Sequence, residues 1–215
     1  MAWSAVLFDL DGTLADTVEL ILMSFRHTLR THRGSTPPDA AFLEGIGTPL
    51  PVQLATFAES DEEHRAMLAT YVEFQRSIHD AMVRPFPGVP SMLDDFRRRG
   101  YPLGIVTSKG RNIAERTLSV CGLSDAFDCV ICGDEVERGK PDPEPVIRAV
   151  GALGVADLRS RVLFVGDSPH DVTAGRGAGV KTAAVAWGPI QRPVLEAAGP
   201  DYFVERVEDL LDLGA

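Results

Sequence analysis

"AVLFDLDGTLADT", residues 5–17, runs from an unbroken apolar stretch straight into two carboxylates, Asp9 and Asp11, with Gly12, Thr13 and a third acid, Asp16, close behind. An apolar run of this length without polar alternation is a strand covered on both faces, as in a parallel sheet packed between helices. Four later runs have the same character: "PLGIVTS" (102–108), "DCVICGD" (128–134), "RVLFVGD" (161–167) and "VKTAAVAW" (180–187). Helix-length segments separate them, "GRNIAERTLSVCG", "DPEPVIRAVGALG" and "SPHDVTAGRGAG", the second opened by prolines that suit a first helical turn. Strand alternating with helix predicts an α/β fold, a Rossmann-like parallel sheet flanked by helices.

The interval between the first and second strands breaks that rhythm. It holds far more chain than the single helix a crossover needs. Within it, residues 61–82 carry Met67, Tyr71, Phe74, Ile78 and Met82 on one helical face. Residues 17–34 read as a second helix closing at Gly34, and 50–60 as a shorter third. The sequence therefore predicts an all-helical insert over 17–84 in an α/β core made of 1–16 and 85–215, with "RPFPGVP" (84–90) returning the chain to the sheet. Mounted after the first strand, the insert would cover the carboxyl ends of the strands, where open α/β sheets bind ligands. Asp16 falls at the handover and is expected to be a hinge or helix-cap residue.

At 215 residues and 45% hydrophobic composition the chain can bury a full core. A formal charge of −10 argues against nucleic acid or an anionic membrane as partner. No stretch approaches the ~18 apolar residues of a membrane span, and the first residues lack a basic leader, so a cytoplasmic protein is expected. Cys121, Cys129 and Cys132 are an odd set, pointing to reduced thiols. Although Cys129 and Cys132 have C-x-x-C spacing, residues three apart on a strand face opposite sides, which favours buried small side chains over zinc or redox chemistry.

A D-x-D pair in an acid-rich chain is usually a solvated loop, but here the acids recur at strand ends. Asp9 and Asp11 end the first strand; Asp167 ends the fourth, with Asp171 one helical turn on. Parallel central strands would bring these carboxylates into one crevice, where like charges repel and raise each other's pKa. Mg²⁺, which prefers a few carboxylate oxygens plus water and phosphate, would relieve that repulsion. The cluster thus predicts a metal, and the metal an anionic substrate. Thr107 sits at a strand-to-helix junction suited to phosphate, and Lys140 precedes a proline-opened helix near the same edge.

Taken together, "DLDGT" (9–13), "VTS" (106–108), "KPDP" (140–143) and "GDSPHD" (166–171) resemble the four motifs of the haloacid dehalogenase superfamily, with the insert where its C1 cap belongs. The resemblance implies Asp9 as nucleophile, Asp11 as general acid/base, and Thr107 and Lys140 as the phosphate-binding pair; Ser108, beside Thr107, is a further candidate phosphate contact. It implies a Mg²⁺ held by Asp9, the Asp11 carbonyl and Asp167, with Asp171 supporting it. Gly12 would let the chain bend away from the strand and Thr13 tie that bend. An Asp at the position of Asp11 separates phosphoryl transfer from dehalogenation, because a halide leaves without a proton. A phosphomutase shares all four motifs, and a silent phosphate-binding regulator could share the scaffold without needing a nucleophile.

Substrate choice belongs to the insert and the loops facing it. "EGIGTPL" (44–50) offers Gly47 and Thr48 as a loop that could approach an oxyanion or merely turn between helices. Arg76, His79 and Arg84, near the hinge that returns the chain to the sheet, are candidate substrate contacts or a covering of the helix surface, and Lys109, after the second motif, is expected to add positive charge beside the phosphate site. The pattern resembles the phosphoglycolate phosphatase branch, while "IGTPL" with "FQRSIHD" resembles its pyrophosphatase relatives, so the resemblance implies a phosphatase of the phosphoglycolate type first and a pyrophosphatase as the alternative. The expected partner is a small phosphorylated compound, and the expected assembly a monomer or homodimer.

Overall fold

The structure is a computed structural model that describes residues 3–43 and 45–213. In chain order its elements are β1 (Ala5–Phe8), β2 (Ala15–Asp16), α1 (Val18–Arg33), α2 (Ala40–Leu43), α3 (Leu50–Ala55), α4 (Asp61–Met82), β3 (Arg84–Pro85), α5 (Val89–Arg98), β4 (Leu103–Val106) and α6 (Arg111–Val120). There follow β5 (Cys129–Ile131), α7 (Glu144–Ala152), β6 (Val162–Gly166), α8 (Pro169–Ala178), β7 (Lys181–Val185), α9 (Arg192–Ala197) and β8 (Tyr202–Val204). Short 3₁₀ turns span Ala156–Arg161 and Val207–Asp212.

β1 lies inside a six-stranded parallel sheet of order β5-β4-β1-β6-β7-β8. All four residues of β1 are buried, as a run with apolar neighbours on both faces requires. One face packs a core that includes Phe8, Phe96 and Ile105; the other packs Leu7, Val106, Val146 and Phe164. The sequence reading found the four inner strands and the edge strand β5 but not β8, the three-residue strand at the other edge, with half-exposed Tyr202 and Phe203. Nor did it name α5 or α9, or the two-stranded antiparallel ribbon in which Ala15 pairs with Pro85 and Asp16 with Arg84.

That ribbon is where the chain leaves and re-enters the sheet. Asp16 belongs to β2, while Thr17 takes the N-cap position of α1 without capping it by its side chain. Between β2 and β3 the helices α1 to α4 close around their own cluster of Leu22, Phe25, Leu29, Phe42, Leu54, Met67 and Tyr71. Phe25 stacks on Phe42 at 5.0 Å between ring centroids and meets Tyr71 edge-on. α4 starts at a Ser60 cap that accepts the Glu63 N–H, and its apolar stripe changes partners along its length. Met67 and Tyr71 face the helical insert, whereas Ile78 and Met82 pack against the main core.

Cys121 and Cys132 are buried and Cys129 half-buried, all as free thiols. Burial pushes Cys121 and Cys129 up to about 11 and Cys132 to about 12, so none is a ready nucleophile. Among the described residues no helix is long and apolar enough to cross a membrane.

Candidate active site

The site forms where β1, β4 and β6 end side by side. Asp9 continues the β1 ladder, its N–H donating to Val165 O at 2.8 Å. The chain then turns at Gly12, whose φ of +78° lies in the left-handed region; a Cβ there would overlap the Asp167 carboxylate. Thr13 was expected to tie this turn locally. Its hydroxyl instead donates across to Asp167 Oδ1 at 3.0 Å, joining the first and fourth motifs.

Asp9, Asp167 and Asp171 are buried and each offers a carboxylate oxygen within 4.8 Å of the others'. Lys140 Nζ reaches Asp9 Oδ1 at 2.8 Å, Asp171 Oδ1 at 2.6 Å and Val106 O, at the end of β4, at 3.2 Å. Burial pushes Asp9 up to about 7, against the pull of Lys140 and with help from Asp171 and Asp11. Burial, then Asp9 and Asp171, hold Asp167 well above the usual carboxylate range. For Lys140, burial disfavours the cation, but Asp171 and Asp9 outweigh it and keep the ammonium above its ordinary value.

Asp167 Oδ2 is buried without a hydrogen-bond partner among the described residues, and the one ammonium amid the three acids bonds only Asp9 and Asp171. A lone pair left bare in an acidic crevice is the donor set of a hard divalent cation, so the residues present fit Mg²⁺. Asp9 and Asp167 are the carboxylates free to hold it. Asp171 is committed elsewhere: Oδ1 to Lys140, and Oδ2 to the hydroxyl and N–H of Ser168 at 2.6 and 3.0 Å, within the capping box of α8. Asp11, also expected among the metal ligands, has its carboxylate outside this cluster. Its Oδ1 accepts from Lys109 Nζ at 2.5 Å and Thr17 Oγ1 at 2.6 Å, which turn the side chain toward the insert and leave only its main-chain carbonyl for a cation.

Asp9, Asp11, Thr107, Ser108, Lys109 and Lys140 open onto one cavity of about 480 Å³, together with Gly47, Thr48 and Arg76 from the insert. Thr107 is buried, and its hydroxyl accepts the Lys109 N–H at 3.1 Å. Ser108 Oγ donates to Gly47 O at 2.5 Å, fastening the insert loop to the second motif. Gly47 has φ +95°, and a Cβ there would come within 2.9 Å of Ser168 Oγ and 3.1 Å of His170. Thr48 turns its hydroxyl back to Gly45 O, and Glu44 lies outside the described residues. The insert wall is mainly apolar, with Ile21, Phe25, Leu68 and Val72.

Arg76 is exposed on that wall, with no hydrogen bond or ion pair among the described residues. His79 does not line the cavity. It is fully buried on the last turn of α4, with Nδ1 2.8 Å from Asp80 Oδ1 and Nε2 2.9 Å from Thr117 Oγ1. Arg84 stays at the hinge, donating to Asp80 O and Val83 O. Residues missed by the sequence reading include Gln75, Asn112 and Arg116, all on the cavity wall. α6 carries the last two and reads as an ordinary crossover helix, so no local signal marks them.

A family model described as haloacid dehalogenase-like hydrolase matches residues 6–185. A pyrophosphatase PpaX of Bacillus cereus is 39% identical over 214 residues, covering 99% of this chain and 97% of that protein. Its counterpart in Bacillus velezensis is 41% identical over 211 residues, covering 98% and 95%. Among solved structures, a protein from Lactobacillus plantarum provisionally named a phosphoglycolate phosphatase superposes with a TM-score of 0.87 at 25% identity, covering 99% of this chain and 100% of that one.

Proposed function

From the premise that the chain belongs to the haloacid dehalogenase-like hydrolase family, we propose that it is a Mg²⁺-dependent phosphatase that uses Asp9 as nucleophile and pyrophosphate as substrate. The observation that carries the reading is the buried triad of Asp9, Asp167 and Asp171 around Lys140, with Asp167 Oδ2 left bare. Bound to Asp9 and Asp167, Mg²⁺ would neutralise phosphoryl charge that otherwise repels a carboxylate nucleophile.

The chain's own residues supply the rest. Lys140 holds Asp9 Oδ1 and leaves the other carboxylate oxygen to attack phosphorus in line, forming an aspartyl-phosphate as the P–O bond to the leaving group breaks. Thr107 and the loop N–H groups around Ser108 hold the transferred phosphoryl oxygens. Asp11 donates a proton from Oδ2 to the leaving oxygen, then takes one from the water that cleaves the aspartyl-phosphate, help worth roughly 10²–10⁴ in rate. Apolar walls from the insert exclude other water.

Pyrophosphate is favoured by the two relatives named for it. A second reading, phosphoglycolate, is favoured by the apolar part of the same wall, which suits a carbon-bearing leaving group. Both leaving groups are anions, so Arg76 serves either. The test is release of phosphate from pyrophosphate, phosphoglycolate, sugar phosphates and p-nitrophenyl phosphate with Mg²⁺ or with chelator, compared by kcat/KM. Expected are Mg²⁺-dependent turnover, pyrophosphate first in the ranking, and abolition by Asp9→Asn. Wild-type turnover in the Asn variant would overturn the nucleophile; an organic phosphate ranking first would transfer the substrate assignment to the second reading.

A further inference from the structure

His79 and Thr117 lie off the cavity, yet they join the root of the insert to Asp11. At one end, Arg116 Nε and His79 Nδ1 both meet Asp80 Oδ1 at 2.8 Å. His79 Nε2 then meets Thr117 Oγ1 at 2.9 Å, Lys109 Nζ lies 3.4 Å from that hydroxyl, and the same ammonium is 2.5 Å from Asp11 Oδ1. Five side chains from α4, α6 and the second-motif loop thus end on the carboxylate two residues after the nucleophile.

The donor and acceptor inventory sets the direction of these bonds. An ionised Asp80 only accepts, so Nδ1 of His79 carries a hydrogen. Burial lowers the His79 pKa, which keeps the ring neutral and leaves Nε2 as an acceptor. Nε2 therefore takes the Thr117 hydroxyl proton. A helical threonine would otherwise donate to the carbonyl one turn back, and Ile113 O stands at 2.9 Å for that purpose. With its one proton turned to His79, Thr117 presents lone pairs to the Lys109 ammonium. Lys109 is then held between Thr117 and Asp11, its side chain 8% exposed. Lys109 and Thr17 both act on Oδ1, which leaves Oδ2 for the proton that Asp11 moves.

We propose that His79 and Thr117 are positioning residues that brace Lys109 against Asp11, so that seating of the last turn of α4 on α6 sets the orientation of the acid/base. The proposal rests on the phosphatase reading. It also gives His79 a role through other side chains in place of the substrate contact expected from sequence.

The test uses Thr117→Val, which keeps shape and removes the hydroxyl, and Thr117→Ser, which restores it. Phenol is a poorer leaving group than p-nitrophenol, so phenyl phosphate depends more on the acid. The ratio of kcat for phenyl phosphate to that for p-nitrophenyl phosphate should fall about tenfold in Thr117→Val, a part of the full acid/base contribution. It should return in Thr117→Ser, and adding Thr117→Val to Lys109→Met should cause no further fall. An unchanged ratio, no rescue by Ser, or full additivity with Lys109→Met would overturn the brace. Imidazole ¹⁵N shifts of His79 test the geometry without turnover: Nδ1–H with an accepting Nε2 is expected, and Nε2 should shift in Thr117→Val. The opposite tautomer, or no shift, would also overturn it. If wild-type protein hydrolyses neither ester while the shifts behave as expected, the phosphatase reading fails and the brace remains only as a structural contact.

Discussion

The floor and the roof of the cavity are built by opposite rules. In the floor, Lys140 has three acceptors, Asp171 has every oxygen engaged, and Asp167 is pinned by Thr13 from a loop 154 residues away. In the roof, Arg76 has no partner among the described residues, the Gly47 loop is fastened to the core by a short side-chain bond, and the rest is mainly apolar wall. Buried charges must be satisfied or they destabilise the fold, so the floor is rigid and its chemistry is fixed with the fold. A roof of sparse contacts can move and change its selectivity at little cost to stability.

If that contrast is right, Lys140→Met should do the most damage. It leaves Asp9, Asp167 and Asp171 crowded without their cation, and breaking such a buried pair typically costs about 3–5 kcal/mol. Urea unfolding of the metal-free variant should show a loss in that range, alongside a fall of about 10²–10³ in kcat from lost stabilisation of phosphoryl charge. A stability loss under about 1 kcal/mol would mean that the floor is not held together electrostatically.

Next in size is the response to pH. Asp9 stands at about 7 in the metal-free fold against 3.8 ordinarily, and Asp167 is shifted the same way. Between those values the folded state keeps a proton that the unfolded chain has lost. Stability from these groups is therefore complete below 3.8 and is lost as pH rises through about 7. Mg²⁺ needs the deprotonated acids, so the rise in melting temperature on adding it should grow from about pH 5.5 to 8. Melts with Mg²⁺ and with chelator at several pH values measure this. A rise that is constant or shrinks with pH would remove the floor's acids from the site of binding.

The same contrast governs what the sequence revealed. Asp9, Thr107, Lys140 and Asp167 follow apolar strands or open helices, so local pattern plus parallel pairing suffices to bring them to one edge. Asp11 was harder, because its carboxylate direction depends on Lys109, 98 residues away, and on Thr17. In the roof, Arg76 and His79 share a helix face by spacing, yet His79 lies about 4.5 Å further along the axis. That step carries it past the cavity and onto Thr117. Where α4 leaves the insert and meets the core is a tertiary fact with no signature in residue types. β8 escaped for a related reason: its apolar run is only Tyr202–Val204, set between Asp201 and Glu205, too short to announce a strand.

The smallest expected effect falls on the roof and is the most informative about substrate. Arg76→Met keeps an unbranched apolar stem against Leu68 and Val72 and removes only the charge. Stability should stay within about 0.5 kcal/mol, as for other exposed positions. A charge-assisted hydrogen bond to an anionic leaving group is worth about 1.5–3 kcal/mol, so KM for pyrophosphate should rise at least tenfold while kcat changes little. The ratio of pyrophosphate to p-nitrophenyl phosphate hydrolysis should fall accordingly, because the ester's leaving group offers Arg76 no comparable anion. If the ratio holds, the roof does not choose by charge, and the apolar wall of Ile21, Phe25, Leu68 and Val72 becomes the selecting surface. That outcome would favour a carbon-bearing substrate and leave the floor's chemistry untouched, because nothing in the Asp9–Lys140–Asp167 arrangement depends on Arg76.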